Sequence, residues 1–189
     1  AASRSSDKSM RFTGPTPGFN PRRLEAVTRK AMAMARWGEP VADGHALGFG
    51  YYFSHMGYFA EIVEASLDDR NQVLVHNVWA AGDVGSTIIN PSGALNQVHG
   101  SIIDGLGQAM QLAVKIEGGA ARQSNFHDYP LPRMAMTPQI HVEWVLSDYA
   151  PTGLGEPALP PVIPALTNAL FALTGKRVRS LPIDTALFA

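Results

Sequence analysis

The sequence predicts an α+β fold in which a mixed β-sheet packs against long helices. Three observations carry this prediction. Capped segments with apolar residues at helical spacing occur at residues 20–38 and 90–114, three consecutive segments between residues 46 and 83 are typical of strands, and residues 138–148 alternate strictly between the two faces of a strand. A chain of 189 residues, of which 46% are hydrophobic, suffices for one domain or one lobe of a larger one.

The first predicted helix is "NPRRLEAVTRKAMAMARWG", with Asn20 as its N-cap, Pro21 at its first position and Gly38 as its stop. Its apolar stripe indicates core packing and consists of Leu24, Val27, Ala31 and Met34.

Three strands are predicted next, in "ALGFGYYFSH", "YFAEIVEASLD" and "NQVLVHNVWAAGD", separated by Gly57 and by a turn at residues 68–71. Gly48 and Gly50 form a GxG that lacks the third glycine and the following helix of a dinucleotide-binding fingerprint. We therefore interpret this pair as a site of close packing rather than nucleotide binding.

The second long helix is predicted in "NPSGALNQVHGSIIDGLGQAMQLAV", with Asn90 as N-cap. Gly100, Gly105 and Gly107 lie inside it, and each costs about 1 kcal/mol relative to alanine. Another backbone or a ligand is therefore expected close to that face, although tight helix-on-sheet packing explains any one glycine equally well. Gln97, near the start of the helix, could donate to an anionic or carbonyl-rich ligand or simply be solvated.

The alternating strand "PQIHVEWVLSD" leads into the loop "TGLGEPALPP", which carries Glu156. A final helix is predicted to follow the loop and to end at Gly175. Glycines at 153 and 155 allow close approach to the backbone, and the prolines immobilise the segment. Glu156 is then either a solvated carboxylate that balances the helix N-terminus or an immobilised general base.

Composition excludes several classes of function. A net charge of −1 gives no electrostatic footprint for nucleic acid, and the sequence contains no cysteine for disulfides, thiolate catalysis or iron–sulfur ligation. The six histidines lack metal-ligand spacing, so no metal site is predicted from side chains. No apolar run is long enough to span a bilayer, and residues 1–10 lack the apolar region of a signal peptide. Only 16% of residues are charged, which favours burial of surface against something else.

Three blocks carry a family resemblance: "HNVWAAGDVGSTIINPSGALNQVHGSIIDGLGQAM", "QSNFHDYPLPRM" and "GLGEPALPPVIPALTNALFALTGKRVRSLPI". Together they resemble the C-terminal part of the large subunit of molybdenum hydroxylases, the xanthine dehydrogenase/aldehyde oxidase family, and most of all its isoquinoline 1-oxidoreductase β-subunit type. The resemblance runs from about residue 20 to residue 183, and the GxGEP block is its most specific part. It implies that Glu156 is the catalytic base and that Gln97, Gly153 and Gly155 bind the cofactor. His99 stands where relatives often carry Glu.

The resemblance also implies the wider assembly. Residues 20–189 would form the C-terminal molybdopterin-binding lobe of a larger subunit, and residues 1–19 would be a linker or a cut end. The cofactor would be molybdopterin cytosine dinucleotide with molybdenum, shared with the remainder of the large subunit. An iron–sulfur subunit would take the electrons from an aldehyde or N-heteroaromatic substrate, and a cytochrome c is one acceptor to which it would pass them. A periplasmic location is favoured over a cytoplasmic one. The alternative is a non-catalytic docking or assembly lobe, and alone the chain is expected not to hold the cofactor.

Overall fold

The structure is a computed structural model that describes residues 18–189, so most of the predicted linker at residues 1–19 lies outside the described residues. The described chain contains three α-helices: α1 Pro21–Met34, α2 Pro91–Met110 and α3 Leu159–Thr174. Its strands are β1 His45–Ser54, β2 Gly57–Leu67, β3 Val73–Asp83, β4 Ile116–Glu117, β5 Ala120–Ala121 and β6 Gln139–Trp144. Short 3₁₀ turns lie at Met134–Met136 and Thr185–Phe188.

The main sheet has the strand order β1-β2-β3-β6. Its first three strands are antiparallel neighbours, whereas β6 runs parallel to β3. This confirms the predicted α+β class with a mixed sheet. The sheet separates two cores, because α1 packs on one face while α2 and α3 cover the other.

Helix α1 begins as predicted, since the Asn20 side chain accepts a hydrogen bond from the Arg22 N–H at 3.0 Å. Val27 and Ala31 are fully buried against the sheet, which confirms the centre of the predicted stripe. The helix ends at Met34, four residues before the predicted stop at Gly38. Arg36 already adopts a positive φ of 52°, which a helix cannot accommodate.

Helix α3 lies almost directly on the backbone of β1. A Cβ atom added to Gly48 would come within 2.1 Å of the Ala165 carbonyl oxygen, and one added to Gly50 within 2.2 Å of the Pro161 carbonyl oxygen. The GxG of the sequence is therefore a packing device, as expected. It brings α3, and the loop before it, close to the sheet.

The interior glycines of α2 fall into two groups. A Cβ at Gly105 would lie 2.5 Å from Val162 of α3, and one at Gly107 would lie 2.6 Å from Pro132, so close approach is confirmed at both. At Gly100 no described residue lies within 4 Å of an added Cβ, so packing within the described chain does not account for this glycine, and a ligand close to it stays a prediction.

Helix α2 also ends earlier than predicted, at Met110 rather than near residue 114. A two-residue hairpin of β4 and β5, not predicted from the sequence, follows it and pairs Ile116 with Ala121. Residues 123–133 form no regular helix or strand.

Candidate active site

The loop that carries Glu156 runs from the end of β6 to the start of α3. Its first half is held against the end of β3 by backbone hydrogen bonds: Ser147 N–H donates to Gly85 at 3.3 Å, Thr152 N–H donates to Val84 at 2.9 Å, and Ser86 N–H donates to Tyr149 at 2.9 Å. The loop is thus built onto the sheet and does not project freely.

The end of β3 is in turn fastened to α1 by a buried ion pair. Arg23 donates to both carboxylate oxygens of Asp83, at 2.7 Å from Nε and 2.6 Å from Nη2. Asp83 also accepts the Ser147 hydroxyl at 2.8 Å, which ties the Glu156 loop to the same carboxylate. The Arg23 guanidinium lies 4.6 Å from the ring centroids of both Tyr58 and Tyr149, a distance suited to cation–π attraction.

Burial raises the pKa of Tyr58, against the opposing effects of a hydrogen bond from the Asn20 backbone and of the Arg23 charge. Its hydroxyl accepts the Asn20 N–H, and the Asn20 side-chain amide donates to Tyr149 at 2.7 Å. The start of α1, the start of β2 and the Glu156 loop therefore meet in one hydrogen-bonded cluster.

Glu156 lies at the surface, three residues before α3. Its backbone carbonyl accepts the Leu159 N–H at 3.0 Å, but its carboxylate forms no hydrogen bond or ion pair with any described residue. Pro160 and Pro161 bring no N–H to the first turn of the helix. The carboxylate therefore makes no direct capping hydrogen bond to α3, and it is open to solvent.

The start of α2 faces this loop. The Ser101 hydroxyl donates to the Gly155 carbonyl at 2.9 Å, and the Gln97 Oε1 atom lies 3.8 Å from the position a Cβ at Gly155 would take. The structure thus brings Gln97 and Gly155 together beside Glu156. Gly153 lies apart from α2 and packs on the hairpin turn between β1 and β2, where an added Cβ would lie 3.3 Å from the Cβ of His55.

Neither Gly153 nor Gly155 adopts a positive φ. Backbone conformation therefore does not require glycine at these positions. At Gly153 the close approach of His55 gives a reason, and Gly155 leaves the backbone accessible beside Gln97.

An open groove of about 350 Å³, called here the Glu156 groove, runs between α2 and the loop. It is lined by Gly100, Ser101, Asp104, Gly155, Glu156, Leu159 and Pro160. Sequence reasoning missed Ser101 and Asp104. They follow Gln97 by four and seven residues, a spacing that places all three on one face of a helix. This helical spacing could have identified Ser101 and Asp104 from the sequence.

Among residues 18–189, no group of three or more His, Asp or Glu side chains is arranged to hold a metal ion. Within the same residues, no helix has both the length and the apolar character needed to cross a bilayer.

Comparisons with known proteins agree with the resemblance seen in the sequence. The family model for the molybdopterin cofactor-binding domain matches residues 20–138. The chain is 39% identical, over 166 residues, to isoquinoline 1-oxidoreductase subunit beta of Brevundimonas diminuta, a match that covers 86% of this chain and 21% of that protein. It is 29% identical to the membrane-bound aldehyde dehydrogenase [pyrroloquinoline-quinone] of Gluconacetobacter polyoxogenes, covering 87% of this chain and 22% of that protein.

Among solved structures, quinoline 2-oxidoreductase from Pseudomonas putida 86 superposes with a TM-score of 0.63 at 20% identity. The superposition covers 69% of this chain and 18% of that one, and it supports the fold. The chain spans about a fifth of the length of the curated relatives that it matches. From the family match and the identity to the isoquinoline 1-oxidoreductase subunit, the chain belongs to the molybdopterin cofactor-binding domain family.

Proposed function

We propose that this chain forms part of a molybdenum-dependent oxidoreductase that hydroxylates an aldehyde or an N-heteroaromatic carbon, with Glu156 as the general base. One observation carries the proposal: Glu156 is held through its backbone yet keeps its carboxylate free of described partners, at the edge of a groove that Gly155, the neighbour of Gln97, also lines. A general base needs such an arrangement, because it must be rigidly placed and still able to accept a proton.

The groove would form one wall of the cofactor site. Gly100 and Gly155 present backbone with little side-chain bulk, and Gln97 offers an amide donor and acceptor next to them. Gln97 and Gly155 would contact the cofactor, while Gly153 would support the loop from the side of His55. The dinucleotide form that we propose is molybdopterin cytosine dinucleotide. When bound, this cofactor supplies the redox centre that takes two electrons from the substrate.

The reaction releases one proton from the water-derived oxygen and one from the C–H bond, and we assign the first of these to Glu156. Insertion of an oxygen atom from water into a C–H bond releases two protons and two electrons. The Glu156 carboxylate accepts the proton lost by the water-derived oxygen as that oxygen bonds to the substrate carbon. Proton removal by a positioned carboxylate contributes roughly 10²–10⁴-fold to a rate.

The electrons need a path out of the site. The sequence contains no cysteine and so provides no thiolate ligands for an iron–sulfur cluster. In line with the family resemblance, we assign that task to an iron–sulfur subunit, with a cytochrome c as its acceptor. The remainder of the large subunit completes the cofactor site.

The test is Glu156→Gln in the complete enzyme, since the amide keeps the shape of the side chain but cannot act as a base at neutral pH. We expect turnover per molybdenum to fall by at least ~100-fold. The matched control is Glu143→Gln, because Glu143 is an exposed carboxylate on β6 that pairs with Lys30. Near wild-type turnover of Glu156→Gln with full molybdenum content would rule out Glu156 as the base.

A further inference from the structure

We propose that Ser101 is a positioning residue that fixes the direction of the Glu156 side chain by holding the peptide bond in front of it. This inference rests on the proposed role of Glu156 as the base.

The structural basis is a single hydrogen bond between two elements. The Ser101 hydroxyl, on a side chain only 8% exposed, donates to the Gly155 carbonyl at 2.9 Å. That carbonyl belongs to the peptide unit that ends at the Glu156 nitrogen. The regular backbone of α2 fixes the Cα atom of Ser101, so the hydroxyl donates from a rigid element.

The peptide bond after Glu156 is held as well. Its carbonyl accepts the Leu159 N–H at 3.0 Å, at the start of α3. With both flanking peptide planes fixed, the two backbone dihedrals of Glu156 are fixed too. The direction in which its Cβ leaves the backbone is therefore set jointly by α2 and α3.

Of these two hydrogen bonds, the one from Ser101 restrains the more flexible peptide unit, the one between Gly155 and Glu156. Gly155 is exposed and has no Cβ, and an added Cβ would meet only Gln97 Oε1 within 4 Å among the described residues, so the chain before Glu156 has the rotational freedom of glycine. Without the hydroxyl, the peptide between Gly155 and Glu156 can rotate while α3 stays in place. A base displaced by a full ångström loses on the order of 10²-fold in rate, and a partial rotation should cost less.

The first experiment compares Ser101→Ala with the wild type in the complete enzyme, with rates expressed per molybdenum. We expect kcat to fall about tenfold while KM stays within about twofold, since substrate binding does not depend on the base. Ser101→Thr, which keeps the hydroxyl, should recover most of the lost kcat. Ser101→Cys roughly keeps the side-chain volume but has a weak S–H donor, so its kcat should lie between those of Ser101→Ala and Ser101→Thr. The control is Ser92→Ala, an exposed serine on the same helix.

The second experiment repeats Ser101→Ala in a Glu156→Gln background. If Ser101 acts through the Glu156 carboxylate, its loss has no further effect there, because effects of residues that act as a unit are not additive. An equal fall in kcat in both backgrounds, or unchanged kcat per molybdenum in Ser101→Ala alone, would overturn the positioning role. Neither result would affect the assignment of the base, which fails separately if Glu156→Gln itself is active.

Discussion

Arg23 and Asp83 form a buried, two-pronged ion pair that joins α1 to the end of β3, with side chains 6% and 1% exposed. The same Asp83 oxygen that receives Arg23 Nη2 also receives the Gly85 N–H and the Ser147 hydroxyl. The loop that leads to Glu156 therefore depends on a charge pair on the side of the sheet opposite α2 and α3.

Removal of Arg23 should be strongly destabilising. Arg23→Ala leaves the Asp83 carboxylate buried without its cation, and breaking one side of a buried pair costs about 3–5 kcal/mol. Urea unfolding of the chain measures this loss. The comparison is Arg29→Ala, which removes an exposed pair with Glu25 on the same helix and should cost no more than about 0.5 kcal/mol. If both variants lost the same free energy of unfolding, the buried pair would contribute no more to stability than the exposed one.

Glu61 should make the chain less stable as pH rises. Its side chain is fully buried in β2, opposite Gly50 on the face that α3 covers, and neither carboxylate oxygen bonds to a described residue. Burial raises the pKa of Glu61 well above its usual value. The unfolded chain ionises this group at an ordinary pKa while the folded chain keeps the proton, so between the two pKa values the unfolded state binds fewer protons. Stability contributed by this group is therefore full below the unfolded pKa and falls as pH rises toward the folded one.

The measurement is the urea midpoint of wild type and Glu61→Gln across the range from pH 4 to pH 8. The Gln variant cannot ionise, so it should lose less stability over this range and be more stable than wild type at pH 7. Glu143→Gln, at an exposed strand position, should keep the wild-type slope. A Glu61→Gln curve parallel to wild type would mean that Glu61 is already ionised in the folded chain.

Two glycines of α2 should respond in opposite directions to alanine. At Gly105 the new methyl group would lie 2.5 Å from a Val162 methyl and 2.9 Å from the Leu159 carbonyl, which forces α2 and α3 apart. Such overpacking costs about 1–3 kcal/mol. At Gly100 nothing lies within 4 Å, so alanine should stabilise the helix by about 0.5–1 kcal/mol. Thermal unfolding of the chain checks this: the melting temperature should fall for Gly105→Ala and rise for Gly100→Ala.

Much of the fold could be predicted because its signals are local. The Asn20 cap, the alternation in β6 and the glycine stop at residue 175 each depend on neighbouring residues only. The ends of α1 and α2 were placed too late, since apolar spacing continues for a few residues after the backbone has left the helical conformation. Strands β4 and β5, of two residues each, are too short for any periodicity to appear.

In the candidate site, too, local features could be predicted from the sequence and long-range contacts could not. The loop around Glu156 could be found from its glycines, its prolines and its motif. The bond from Ser101 to Gly155 could not, because it joins positions 54 residues apart and depends on how α2 meets the loop. For the same reason the sequence prediction treats Gly100 and Gly105 alike, although of the two only Gly105 faces α3.

Gln97 should affect cofactor retention rather than the chemical step. Its Oε1 atom lies 3.8 Å from the position a Cβ at Gly155 would take, and from there the amide would contact the proposed cofactor. Gln97→Ala removes this donor and acceptor, so the complete enzyme should be purified with less molybdenum, while turnover per molybdenum should change little. Elemental analysis together with activity separates the two effects. Asn96→Ala, at the exposed neighbouring position on α2, should retain the wild-type molybdenum content.

Shortening Glu156 should be almost as damaging as neutralising it. Glu156→Asp keeps the charge but withdraws the carboxylate by about an ångström, and a misplacement of that size costs on the order of 10²-fold. The backbone cannot compensate, because the peptide bonds on both sides of residue 156 are held by Ser101 and by the Leu159 N–H. In the complete enzyme we expect kcat per molybdenum to fall by about that factor with KM little changed. If Ser101 supplies this rigidity, then Ser101→Ala added to Glu156→Asp should restore part of the rate, because a freer loop lets the shorter acid move forward. An aspartate enzyme with wild-type kcat would mean that the reach of the carboxylate is not critical.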